Sequence, residues 1–259
     1  MTIAEWWAWF GPGWVALAAA SVALALPGTL WWAAGRGLAA AAVPQAALVG
    51  AAVGLLLGCS RDQLALPAAV AAAVAGVVVP SAGVAVVLTV GLALPVLLVS
   101  GSPHGMNEVT DLTLSRVLGL GWTGAWPSVG LAMIGILLAW WGRRPLRAAV
   151  LDGAWAASAG LHPAWWSRLL GLWGGVAIGA ALPAIGLIGV IGFLVLPGLG
   201  ALRWCRTLDA ALVLAPVIAL LGVTLALPTA HTADLPPVPV AVILTSLAAG
   251  IMALAGRRR

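Results

Sequence analysis

Charge is scarce in this chain, and where it falls constrains everything the rest can fold into. Of 259 residues, 12 are basic and 7 are acidic. Between these points run apolar stretches of about 16 to 22 residues, the length that carries a helix across hydrocarbon. Hydrophobic residues make up 63% of the chain and charged residues 7%, against about 25% charged in an ordinary soluble domain. That is too little charge to cover a water-facing surface, so a soluble fold is excluded. In lipid a helix pairs its own backbone polar groups, and the expected class is all-α: a polytopic transmembrane bundle forming one domain over 1–259.

Apolar segments at 14–34, 42–59, 64–80, 84–100, 127–142, 168–183, 185–202, 208–228 and 238–256 give nine spans. The segments at 168–183 and 185–202 are short and meet at Pro183. They form either two spans or one broken element, so eight spans is the alternative. The first 13 residues hold Glu5 and three Trp and no basic residue. They lack the basic start of a cleavable signal, and the first apolar segment is expected to remain in the mature protein.

Orientation follows from arginine, because cytoplasmic loops are enriched in positive charge. With the N-terminus outside, the inner loops hold Arg36, Arg143, Arg144, Arg147, Arg168, Arg203, Arg206 and Arg257 to Arg259, while the outer loops hold Arg61 and Arg116. The bias is ten to two. Trp31, Trp32, Trp140, Trp141 and Trp204 mark the inner boundary, and Trp6, Trp7, Trp9, Trp14, Trp122 and Trp126 the outer one, as expected of an indole at headgroup level. The net charge of +5 is therefore topological, and no basic stripe for nucleic acid is present. Two segments outside the spans are long enough to have a role of their own. One is the outer loop 101–126. The other is the inner stretch 142–167, which has the makings of a short helix lying along the membrane.

Catalytic groups are missing from the spans: there is no GxSxG, no HExxH, no pair of carboxylates within one segment, and all three His fall between segments. The chain has no GxxxxGK[ST] loop and no lysine, so it binds no cofactor of its own and any ATP is hydrolysed by another polypeptide. Cys59 and Cys205 are isolated and read as small apolar residues. Polar residues inside the spans are chiefly Ser21, Gln45, Thr89 and Thr224. In the outer loop, one helical turn would place His104 and Glu108 on a common face near Asp111, and His231 with Asp234 makes a similar set before the last span. These are candidate cation sites at the outer mouth.

Several stretches taken in order carry a resemblance. Ala40 to Ala46 followed by Ala47 to Gly50 and Leu55 to Gly58, Val84 to Ser100, Asp111-Leu112, Asp152 with Ala157, Gly160 and Leu161, Gly186 to Ala201, and Asp234-Leu235-Pro236 with Pro239 are similar to successive motifs of the zinc, manganese and iron ABC importer permeases, the ABC-3 family. The resemblance runs through nearly the whole chain. It implies a non-enzymatic permease subunit in the cytoplasmic membrane of a bacterium, which moves divalent metal as a homodimer with an ABC ATPase subunit and an extracytoplasmic metal-binding protein. It further implies that Asp152, Ala157, Gly160 and Leu161, in the pattern Asp-x4-Ala-x2-Gly-Leu, belong to the helix that couples to the ATPase. Gln45 and Thr89 are the implied path residues. The chain departs from the family where the Asp and His of the second span align with Ala41 and Gln45, and where an acidic patch before the fourth span becomes Ser81-Ala82-Gly83. An amide oxygen ligates a cation less strongly than carboxylate or imidazole does. A permease for another small solute, or a non-conducting scaffold, is the alternative.

Overall fold

The computed structural model describes residues 3–58, 61–76, 81–100, 113 and 117–256. Those residues are helical, with no strand among them. In chain order the helices are α1 (Ile3–Ala33), α2 (Gly37–Leu56), α3 (Arg61–Ala75), α4 (Ser81–Val99), a 3-10 turn at Val117–Gly119, α5 (Trp122–Trp141), α6 (Arg143–Leu151), α7 (Gly153–Ser158), α8 (Pro163–Trp204), α9 (Leu208–Ala233) and α10 (Pro237–Gly256). Six of them are long and apolar enough to cross a membrane, beginning with Phe10–Ala33 and including the whole of α8; Leu64–Ala75 and Gly83–Val99 are shorter apolar helices.

Several boundaries lie beyond those expected, and proline is the common reason. Helix α1 begins at Ile3 and passes through Pro12, α5 contains Pro127, and α9 continues through Pro228 to Ala233. A proline removes one hydrogen bond from a helix, but in an apolar setting no other backbone arrangement recovers the remaining ones, so the helix runs on. His231 accordingly stands in the last turn of α9, and not in a loop.

The 42 residues of α8 would stretch about 63 Å as one rod, twice the thickness of hydrocarbon. They do not form one rod. Gly186 has φ 69 and ψ 170, a backbone region that is nearly exclusive to glycine. The break is at this residue, three positions after the expected Pro183, because only glycine supplies the required φ.

The neighbours show how sharply the chain turns there. Trp7 of α1 meets Trp122 of α5, and Phe10 of α1 meets His231 at the end of α9, just before α10 starts. Helices α1, α5 and α10 therefore start at one end and run the same way. Along α5, Gly135 faces Trp173 and Trp141 faces Trp166, so the half before Gly186 is antiparallel to α5. Along α10, Val238, Val242 and Ala249 meet Gly189, Gly192 and Gly200 in turn, so the half after Gly186 is parallel to α10. The two halves fold back on one another.

Small residues permit these approaches. A β-carbon on Gly28 would strike the Leu194 carbonyl, one on Gly50 the Leu64 carbonyl, and one on Gly175 or Gly179 the backbone of α3. Lipid gives no hydrophobic drive for helix association, so close backbone packing supplies the contact energy. The resulting core centres on α1 and α8, with Leu17, Leu24, Ile178, Leu182, Phe193 and Ile218 fully buried. The outer faces of α5, α9 and α10 stay apolar and exposed, as at Met133, Leu137, Val213, Leu225, Leu247 and Ile251, which is what a lipid-facing surface requires.

Candidate functional site

Most polar side chains inside the bundle are consumed locally. The hydroxyls of Ser21, Thr29, Thr224 and Thr245 donate to the carbonyls of Ala18, Ala25, Leu220 and Ala241 at 2.7–2.8 Å. Thr89 donates to Ala85 and Val86 at 3.1 Å. Each hydroxyl is thereby hidden within its own helix.

Gln45 has no such recourse. Its side chain is 3% exposed, and no donor of the described protein reaches Oε1. It sits in α2 against Gly91 of α4, whose missing side chain makes room for the Gln45 β-carbon. Leaving a buried acceptor unpaired costs about 1–3 kcal/mol, and such a group is poised to accept from water or a passing ligand. The buried indole nitrogens of Trp32 and Trp173 are unpaired as well, but they are donors and cannot hold a cation.

The structure does not unite Gln45 with Thr89. Gly91 faces α2 and is buried, while Thr89, two residues earlier, is exposed on the other side of α4. A cavity of about 70 Å³ opens beside them between α2, α3 and α4, lined by Ala42, Val43, Ala72, Gly76, Val84 and Val87 among others. Its walls are apolar and offer no ligand to an ion.

His104, Glu108 and Asp111 lie outside the described residues. His231 packs on Phe10 with ring centroids 5.8 Å apart, and Asp234 ends α9 in a left-handed conformation with φ 52. Among the described residues no three His, Cys, Asp or Glu gather around a common point. Cys205 is a free thiol whose pKa is raised by burial.

The opposite end of the bundle is built differently. The link after α1, helix α6, the start of α8 and the segment after α8 all lie there, bringing together Arg36, Arg143, Arg144, Arg147, Arg168, Arg203 and Arg206. Burial holds the Arg36 guanidinium below its usual value. Between α5 and α8 the chain forms the two short helices α6 and α7; α6 packs on α8 and lightly on α1, and α7 touches α8. Helix α6 keeps Leu146 buried under three arginines.

Helix α7 is closed at both ends by its own sequence. The Asp152 carboxylate accepts from the Trp155 N–H at 2.9 Å, an N-cap. At the other end Gly160 takes φ 78, its N–H donates to the Ala157 carbonyl at 3.1 Å, and the Leu161 N–H donates to the Ala156 carbonyl at 2.9 Å. That pair of bonds is the Schellman closure, which places glycine in the left-handed position. The spacing Asp-x4-Ala-x2-Gly-Leu therefore encodes a self-terminated turn and a half of helix. It buries Ala156 and presents Trp155, 60% exposed, together with Ala157 and Ser158.

An ion pair links this unit to α9. Arg147 of α6 donates through Nη1 to Oδ2 of Asp209 in the first turn of α9 at 2.5 Å. The two residues are 62 apart in sequence, and no spacing rule could have joined them.

Comparison with known proteins places these features in one context. The sequence model of the ABC 3 transport family matches residues 9–255. Among solved structures, PsaBC from Streptococcus pneumoniae in complex with Fab is 18% identical, with a TM-score of 0.78 over 93% of this chain and 89% of that one. A metal-chelate type ABC transporter in an inward-facing conformation is 17% identical, with a TM-score of 0.71 over 96% of this chain and 88% of that one. At such identity the likeness concerns the fold. No curated protein matches the chain.

Proposed function

The chain belongs to the ABC 3 transport family, and from that premise we propose that it is the permease subunit of an ATP-driven importer of divalent metal, zinc, manganese or iron. The observation that carries the reading is the capped helix α7, held with α6 between two spanning helices at the arginine-rich end of the bundle. A rigid exposed knob at that place is suited to receive a push from a separate ATPase, and the sequence carries no GxxxxGK[ST] nucleotide loop and no lysine.

In this reading the bundle crosses the membrane nine times, with α8 counted as two passes. The arginine-rich end faces the cytoplasm, as the positive-inside rule requires. The bilayer is the cytoplasmic membrane of a bacterium. Two copies pair around the path, two ATPase subunits dock on α6 and α7, and a metal-binding protein delivers cargo at the Trp7 end. Gln45 contributes its free Oε1 to the path as a weak, neutral ligand, which suits release as well as entry. His231 and Asp234, with His104, Glu108 and Asp111, draw cations to the outer mouth.

One observation favours a second cargo. With Ala41 and Gln45 on α2 and no three-residue ligand cluster among the described residues, the path is nearly neutral. A small solute other than a bare cation would meet less resistance there, and a non-conducting scaffold would need no ligand at all.

Purification tests the coupling role. A tagged permease is expected to retain an ABC ATPase in detergent, and replacing 153–158 by a glycine-serine linker is expected to release it while leaving the bundle folded. Retention of the ATPase by the linker variant would remove α7 from the contact.

A further inference from the structure

Beyond the capped helix, the contact with the clearest geometry at the arginine-rich end is the one between α6 and α9. The Arg147 guanidinium is held by two bonds. Its Nε donates to the Arg143 carbonyl one turn back at 3.1 Å, while Nη1 reaches Asp209 Oδ2 at 2.5 Å. Asp209 is fixed as well. It stands in the first turn of α9, where a carboxylate is favoured by the helix dipole, two residues after Thr207, whose Oγ1 caps α9 by accepting from the Ala210 N–H at 3.3 Å. The side chains are 36% and 49% exposed, and pairs so exposed add little to stability. A bond of that kind is better suited to being made and broken than to holding the fold.

We propose that Arg147 and Asp209 are positioning residues of the transport cycle: the pair latches α6 to the start of α9, so that displacement of the α6–α7 unit is passed to a spanning helix. Backbone contacts of α6 otherwise fall mainly on α7 and α8, with fewer on α5 and α1. The latch gives the unit a second lever. Helix α9 runs the length of the bundle and ends at His231 against Phe10 of α1, so a pull at Asp209 reaches the far end through one continuous helix.

This inference rests on the transport reading above, and its test separates the two. In the purified permease alone, hydrogen exchange read by mass spectrometry at residues 209–212 is expected to rise several-fold in Arg147→Gln and in Asp209→Asn, with no further rise in the double variant. The charge swap Arg147→Asp with Asp209→Arg is expected to return exchange toward the unmodified rate. In vesicles with the ATPase, each single variant is expected to lower the amount of metal accumulated per ATP hydrolysed by about tenfold, and the swap to recover at least half of it. Unchanged exchange in both single variants, or a swap no better than either single variant in a complex that transports, would overturn the latch. If the unmodified complex moves no metal, the transport reading falls, and the exchange measurement still decides whether the pair holds α6 to α9.

Discussion

Gln45 illustrates how a single residue can separate stability from function. Its unpaired Oε1 costs the fold free energy, and replacing the amide by a hydrocarbon of similar size is neutral or stabilising by general experience. Gln45→Leu is therefore expected to leave the thermal midpoint of the purified permease unchanged or higher. In the path reading it lowers the transport rate by about tenfold, an extra barrier of about 1.4 kcal/mol. A stable variant with normal transport would take Gln45 out of the path. The caps of α7 make the opposite pairing. Asp152→Ala removes a cap bond of about 1 kcal/mol, and Gly160→Val forces a branched residue to φ 78, which costs about 1–2 kcal/mol. Both are expected to increase hydrogen exchange in 153–161 without shifting the global melting of the bundle; protected amides in both variants would show that α7 does not depend on its caps. The pattern Asp-x4-Ala-x2-Gly-Leu stands in the sequence, but that Asp152 and Gly160 close the two ends of one short helix is seen only from the bonds at Trp155, Ala156 and Ala157. Nor does the sequence show that the Thr89 hydroxyl, a polar group within a span, donates to the Ala85 and Val86 carbonyls of its own helix. Gln45 stands out as a path candidate because its amide cannot satisfy both ends inside its own helix.

At the scale of helices, glycine and proline exchanged the roles they have in soluble chains. Proline ends helices in water, where the freed groups are hydrated, and reading it so stops several segments short. In this bundle Pro12, Pro127, Pro183 and Pro228 all lie inside helices. The reversal within α8 falls on Gly186, hidden in a run that carries glycine throughout. The order of the apolar segments was legible because length and charge alone define them. Their neighbours were not, because an apolar helix in lipid shows no polar face to mark its outside; low amphipathicity leaves packing to small residues such as Gly28 and Gly175. Gly186→Ala is expected to destabilise the permease by about 1–3 kcal/mol, the cost of a strained backbone position. The check is a lower thermal midpoint in detergent with unchanged helix content by circular dichroism. A midpoint equal to that of the unmodified protein would contradict a sharp reversal at that residue.

For the whole molecule, the distribution of charge and the distribution of apolar surface point the same way. Seven arginines gather at one end, and the exposed sides of α5, α9 and α10 are hydrocarbon, as a bundle set in lipid requires; that the arginine-rich end faces the cytoplasm is part of the proposal. The same end carries the α6–α7 unit, with the ion pair to α9 beside it. In the proposed reading, family membership, the nearly neutral surroundings of Gln45 and the capped helix α7 compose one account: a subunit that moves, driven by a subunit that hydrolyses. The most direct test is accumulation. Vesicles holding the permease with its ATPase, loaded with ATP so that the ATPase face is inside and supplied outside with the metal-binding protein, are exposed in turn to zinc, manganese and iron. The account predicts ATP-dependent accumulation of at least one of these metals, lost when the ATPase is omitted. An intact complex that hydrolyses ATP yet accumulates none of the three would contradict it.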